Sequence, residues 1–64
     1  MIDQFAKAVV SMIRKDMNNY ADDLASGNAR TMEEYKFVCG KLRGLAAAEE
    51  YILDLAKKAE EANE

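Results

Sequence analysis

The 64-residue sequence contains no histidine, no proline and no tryptophan, and Cys39 is its only cysteine. A single cysteine excludes a disulfide within the chain. Without histidine, the roughly four Cys or His ligands of a structural zinc ion are missing, as is the usual base that activates a nucleophile. We therefore expect no metal, no cofactor and no catalytic residue, and we predict that the protein is not an enzyme. Cys39 is interpreted as a small buried hydrophobe.

Neither sign of charge is in strong excess, since the chain contains nine Lys and Arg and twelve Asp and Glu. No basic block is present to make the many phosphate contacts on which nucleic-acid binding draws. No apolar run approaches the ~20 residues of a transmembrane helix, and the first residues lack the basic and apolar regions of a signal peptide. These patterns predict a protein that binds neither nucleic acid nor membrane.

The residues that are plentiful favour helix, because Ala, Glu, Lys, Leu and Met all have high helix propensity. Half of the chain is hydrophobic, and in the first segment the apolar residues recur in steps of three and four. This period is typical of an amphipathic helix, which we predict over residues 3–25. Its apolar stripe consists of Ile2, Phe5, Ala6, Val9, Ile13, Met17, Tyr20 and Leu24.

A turn is predicted over residues 26–31. Gly27 suits the left-handed residue that often closes a helix, and Thr31 begins a Thr-Met-Glu-Glu capping box. In such a box the Thr31 hydroxyl accepts from the Glu34 amide, and the Glu34 carboxylate accepts from the Thr31 amide. So short a connection predicts an all-α fold, an antiparallel two-helix hairpin in one domain spanning residues 1–64.

The second helix, predicted over residues 32–61, is apolar on two separate sides. Counting 100° per residue places the two stripes about 110° apart, so that one neighbouring helix cannot cover both. The first stripe consists of Tyr35, Val38, Leu42, Leu45, Ile52, Ala56 and Ala59. The second stripe consists of Phe37, Gly40, Gly44, Ala48, Tyr51 and Leu55.

The turn also predicts a register. Folding the chain back about the turn places Tyr20 opposite Tyr35 or Lys36, and leaves the second helix overhanging the start of the first by about ten residues. Glu49 falls inside the first stripe, where an unpaired carboxylate is costly. We expect it to pair with Lys7, or else to contact a partner.

The second stripe predicts an interface with another molecule. Each glycine within a helix costs about 0.8–1 kcal/mol relative to alanine, so Gly40 and Gly44 favour close approach of a partner helix. The alternative is that Phe5 or Tyr20 of the same hairpin fills this room. We predict a homo-oligomer, a dimer or a ring, in which the six residues of the second stripe form the contact.

Residues 34–45, followed by Ala48-Glu49, resemble a pattern in short helical proteins of tailed bacteriophages, in which a tyrosine precedes a Cys-Gly pair and a Gly-Leu pair. The resemblance covers less than half of the chain. It implies a viral accessory or virion-assembly protein, located in the virion or the host cytoplasm. The alternative function is a small regulatory inhibitor that binds a host or viral enzyme through one helix face.

Overall fold

The computed structural model describes residues 2–62, with side chains from residue 4 onward; the predicted core position of the Ile2 side chain therefore lies outside the described residues. Two helices, α1 (Ile2–Ala25) and α2 (Met32–Ala62), form the hairpin that the sequence predicts. Its dimensions are 50 × 15 × 11 Å. Within residues 2–62, neither helix is long and apolar enough to cross a membrane.

Gly27 ends α1 in the predicted manner, with a φ of 77°. The Gly27 amide donates to the Leu24 carbonyl at 3.1 Å, and the Asn28 amide donates to the Asp23 carbonyl at 3.0 Å. This pair of hydrogen bonds defines a Schellman motif. An apolar contact often accompanies the motif, but here the Asn28 side-chain amide donates to the Asp23 carboxylate at 3.2 Å. The end of α1 is thus held by local polar contacts.

Thr31 begins α2 with half of the predicted capping box. The Glu34 amide donates to Thr31 Oγ1 at 3.0 Å, as expected. The Glu34 carboxylate instead accepts from the Arg30 amide at 2.8 Å, so the predicted return bond to the Thr31 amide is wrong. The carboxylate still satisfies a backbone donor beside the helix N-terminus, where negative charge is favourable.

The core is a single seam between the helices. Ala6 and Val10 are the buried hydrophobic residues among the described side chains. The rest of the seam is half-buried, and it contains most of the predicted α1 stripe and first stripe; Phe5 and Tyr35 are exposed instead. The half-buried apolar residues of this seam are Val9, Ile13, Met17, Tyr20, Leu24, Val38, Leu42, Leu45, Ile52, Ala56 and Ala59.

The predicted register is wrong by nearly two helical turns. Tyr20 meets Lys41 (Oη to Nζ, 3.5 Å), five positions beyond Lys36, and Arg14 rather than Lys7 pairs with Glu49. The Ile2 end of α1 and the Ala62 end of α2 are therefore almost level, and the longer α2 extends beyond α1 at the turn instead. Because a slide close to one heptad keeps the same apolar positions facing each other, the stripe pattern alone did not fix the register.

The Arg14–Glu49 ion pair provides a test of this register. Arg14 Nε lies 2.7 Å from Glu49 Oε1, and 22% of the Glu49 side chain is exposed. A double-mutant cycle with Arg14→Ala and Glu49→Ala is expected to give a coupling energy near the upper end of the ~0.2–1 kcal/mol range for surface pairs. The control cycle, Lys7→Ala with Glu49→Ala, should give no coupling. Coupling to Lys7 instead of Arg14 would restore the register expected from the turn.

Candidate functional site

The second stripe lies outside the hairpin seam, and all of its residues except the half-buried Ala48 are exposed. Phe37, Tyr51 and Leu55 are 64%, 69% and 66% exposed. They stand on one side of α2, where Gly44 and Ala48 lie between Phe37 and Tyr51, while Gly40 lies at the margin of this side. The hairpin therefore leaves large apolar side chains towards both ends of this side of α2 without cover from α1.

The glycines of this stripe are not required by the hairpin itself. A Cβ added to Gly40 or Gly44 would meet no described atom within 4 Å. This excludes the alternative that Phe5 or Tyr20 of the same chain fills the room beside them. Their cost to the helix, about 0.8–1 kcal/mol each relative to alanine, is thus not offset by packing within one chain.

Two residues of α1 extend this apolar surface, and the sequence analysis missed them. Phe5 and Met12 are 75% and 70% exposed. Both side chains lie about 100° from the seam, measured around the axis of α1. Around the axis of α2, Tyr51 lies away from the seam in the same rotational sense. Antiparallel helices are related by a half-turn about the normal to their common plane, so equal rotations place side chains on the same side. We call this surface, formed by the second stripe with Phe5 and Met12, the apolar side.

The corrected register also sets the level of each residue on the apolar side. With Arg14 beside Glu49, Met12 lies within about one turn of Tyr51, and Phe5 within about one turn of Leu55. The four side chains therefore form one patch at the end of the hairpin distant from the turn. The register expected from the turn would instead have placed Phe5 level with Tyr51 and Met12 level with Gly44.

Lys41 borders the second stripe nearer the turn, beside Phe37. Its Nζ lies 4.6 Å from the Phe37 ring centroid and 5.0 Å from the Tyr20 ring centroid. The ammonium is attracted to the negative faces of both rings, and its stem covers part of the apolar surface. Lys41 can therefore remain at the edge of a partly desolvated contact with its charge stabilised.

The exposed area of the chain is large for its mass. The accessible surface is 5362 Å², whereas a compact monomer of 7.2 kDa would expose about 4,100 Å². The radius of gyration, 14.9 Å, exceeds the roughly 11 Å of a compact domain of this length. The excess, roughly 1,200 Å², is more than the ~800 Å² that one protomer buries in a standard dimer.

The opposite side of the hairpin differs in chemistry. A groove of about 830 Å³ lies there, and Lys7, Arg14 and Lys57 line it together with Ala6 and Leu53. The Arg14 guanidinium is already paired with Glu49, so Glu49 has the structural role that the sequence analysis weighed against a partner contact. This side is basic and polar where the apolar side is aromatic and aliphatic.

Cys39 lies half-buried one turn after Tyr35. A hydrogen bond with the Cys39 side chain, and repulsion from its charged form, raise the pKa of the Tyr35 hydroxyl above its ordinary value. Since the folded chain holds this proton more tightly, the resulting stabilisation is complete below the ordinary tyrosine pKa. It is lost as the pH rises through the raised pKa.

Within residues 2–62 there is no group of three or more acidic or cysteine side chains placed to hold a metal ion. Comparison of the chain with protein-family models, with curated proteins and with solved structures finds no match in any of the three. The apolar side is therefore the feature of the described residues that points to a function.

Proposed function

We propose that this protein is a non-enzymatic assembly protein that acts through helix–helix self-association, with a second copy of the chain covering its apolar side. The observation that carries the proposal is the row of exposed apolar side chains on α2, among them Phe37, Tyr51 and Leu55. A soluble monomer rarely leaves a continuous apolar patch of several hundred Å² uncovered. Two hairpins joined in this way form a four-helix bundle, the simplest closed arrangement for the fold.

The small core supports the same proposal. A lone core in a domain of fewer than ~70–80 residues seldom supplies more than about 3–5 kcal/mol, and disulfides or metals usually add to it. The sequence has one cysteine and no histidine, which leaves association as the remaining source of stability. Burial of the apolar side in a dimer would supply it.

We further propose that the assembly belongs to a tailed bacteriophage, in the virion or the host cytoplasm. The support is the resemblance of residues 34–45 to short phage proteins. Within that segment, Phe37, Gly40 and Gly44 belong to the second stripe, so the resembling segment and the proposed contact overlap. A structural role in a particle requires self-association and needs no catalytic site, which agrees with the proposed non-enzymatic function.

Light scattering coupled to size exclusion, run over a hundredfold range of loading concentration, tests the association. We expect the mass of a dimer or a small ring at the higher concentrations, with dissociation only on dilution. A compact monomer of 7.2 kDa at every concentration would contradict the proposal. That result would instead favour the regulatory inhibitor, which is expected to gain stability only when its target enzyme is added.

A further inference from the structure

The geometry points to a specific arrangement of the second copy: the two α2 helices pack antiparallel through the second stripe, with a two-fold axis that passes between the levels of Gly44 and Ala48. This inference rests on the proposed function, because it assumes self-association. It adds which residues meet across the contact and in which direction the chains run.

The spacing of the stripe is the first support. Lys41 and five residues of the second stripe, without Gly40, are separated by four, three, four, three and four positions, which is the a/d repeat of a coiled-coil seam. These spacings are the same in both directions along the helix. Each seam residue can therefore lie level with a seam residue of an antiparallel second copy. The six residues are Phe37, Lys41, Gly44, Ala48, Tyr51 and Leu55.

Antiparallel packing gives each layer of this seam a complementary pair. Phe37 lies opposite the second copy's Leu55, and Gly44 lies opposite the second copy's Ala48. The small residues at the centre allow the two backbones to approach closely, where the structure leaves open space beside Gly44. Large side chains then close both ends of the seam.

The charges distinguish the two directions. In a parallel pair Lys41 would face the second copy's Lys41, and like charges would repel. In the antiparallel pair Lys41 meets the second copy's Tyr51, whose ring face attracts a cation, as the rings of Phe37 and Tyr20 already do. Lys41 is thus compatible with one direction only.

Flanking charges favour the same direction. Glu33 and Lys58 are rotated to the same side of the seam and lie almost equally far from its centre, at opposite ends of α2. Antiparallel packing therefore brings Glu33 beside the second copy's Lys58. Lys36 and Asp54 lie about one turn closer to the centre of the seam, again on the same flank. Lys36 therefore lies near the second copy's Asp54, and the symmetry gives two such pairs of opposite charge.

The other antiparallel arrangement places α2 on the second copy's α1. It would set Gly44 within about one turn of the second copy's Asp16 and bring this carboxylate into the contact, which is costly without a partner. In the α2–α2 arrangement the first helices lie further apart, because the two stripes of α2 are separated by more than a right angle. The larger side chains of Phe5 and Met12 fit this wider gap, and Asp16 stays in solvent.

Cysteine cross-linking tests the direction. In a Cys39→Ala background, Glu33→Cys and Lys58→Cys chains are treated with a short bis-maleimide, first separately and then as an equal mixture. The two positions are adjacent across the antiparallel contact, whereas each lies roughly 35–40 Å from its own copy. We expect covalent dimer in the mixture and none from either variant alone. A mixture of Glu33→Cys with Glu50→Cys, which lies on the far side of α2, controls for random collision.

The outcomes separate this inference from the proposed function. Cross-linking of each variant with itself would show parallel helices and overturn the arrangement. Absence of cross-linking from all mixtures, while light scattering still gives the mass of a dimer, would overturn the arrangement and leave self-association standing. A monomer by light scattering would overturn both.

Discussion

The Gly44→Leu variant is expected to be a monomer at concentrations where the parent chain is a dimer. Gly44 lies at the centre of the second stripe, where the proposed contact brings two helices close together. A leucine there would force the helices apart or distort its neighbours, and overpacking of this kind costs about 1–3 kcal/mol. Because the contact has two-fold symmetry, it contains the substituted residue of both copies. The dimer should therefore weaken by ~2–6 kcal/mol, roughly 30-fold or more in Kd.

The same substitution should stabilise the isolated hairpin. No described atom lies within 4 Å of a Cβ added at Gly44, and leucine favours helix over glycine by about 0.5–1 kcal/mol. The expected result is thus a loss of association without a loss of helix. Sedimentation equilibrium measures the first effect, and urea unfolding of the dilute protein measures the second.

Ala46→Leu is the matched control. Ala46 is also a small exposed residue in the middle of α2, but it points away from the second stripe. Its substitution should leave the dimer intact. If Gly44→Leu and Ala46→Leu chains associated equally well, the contact could not pass through the second stripe.

The Val10→Asp variant is expected to lose most of its helix. Val10 and Ala6 are the buried hydrophobic residues among the described side chains. The substitution removes about 1.5 kcal/mol or more of apolar burial and adds the cost of desolvating a carboxylate or keeping it protonated. These losses approach the ~3–5 kcal/mol that so small a core supplies. Neither helix is expected to persist alone, because most helical stability in proteins comes from packing of an amphipathic face rather than from helix propensity.

Circular dichroism at 222 nm measures this loss, with Ser11→Asp as the control. Ser11 is exposed on the polar flank of α1, so the same residue type one position away should change stability by about 0.5 kcal/mol or less. Parental helicity and melting temperature in the Val10→Asp chain would show that the seam at Val10 contributes little to the fold.

Much of the fold follows from local sequence signals. Apolar steps of three and four, a left-handed glycine at position 27 and a threonine cap at position 31 are short-range features, each with its own physical cause. They fixed both helices to within one residue at each end (Ile2–Ala25 and Met32–Ala62). The second stripe was also visible, because helical periodicity shows an apolar side whether or not anything covers it.

The register was not predictable in the same way. The seam repeats nearly every seven residues, so two alignments almost one heptad apart bury the same stripe. The choice depends on the path of residues 26–31 and on the contacts of Arg14 with Glu49 and Tyr20 with Lys41. Phe5 and Met12 were not recognised as neighbours of Tyr51 and Leu55, because the sense of rotation away from the seam was not compared between the two helices. Combining the sense of helix rotation with the correct register would have identified them.

Hydroxyl-radical footprinting of Tyr51 tests the central claim most directly, namely that a second copy covers the apolar side. Tyr35 provides an internal control of the same residue type, since it is exposed outside the second stripe. We predict that oxidation of Tyr51 falls as protein concentration rises through the dimerisation range, while oxidation of Tyr35 stays constant. Equal oxidation of Tyr51 at all concentrations, in a chain that remains helical, would contradict the account.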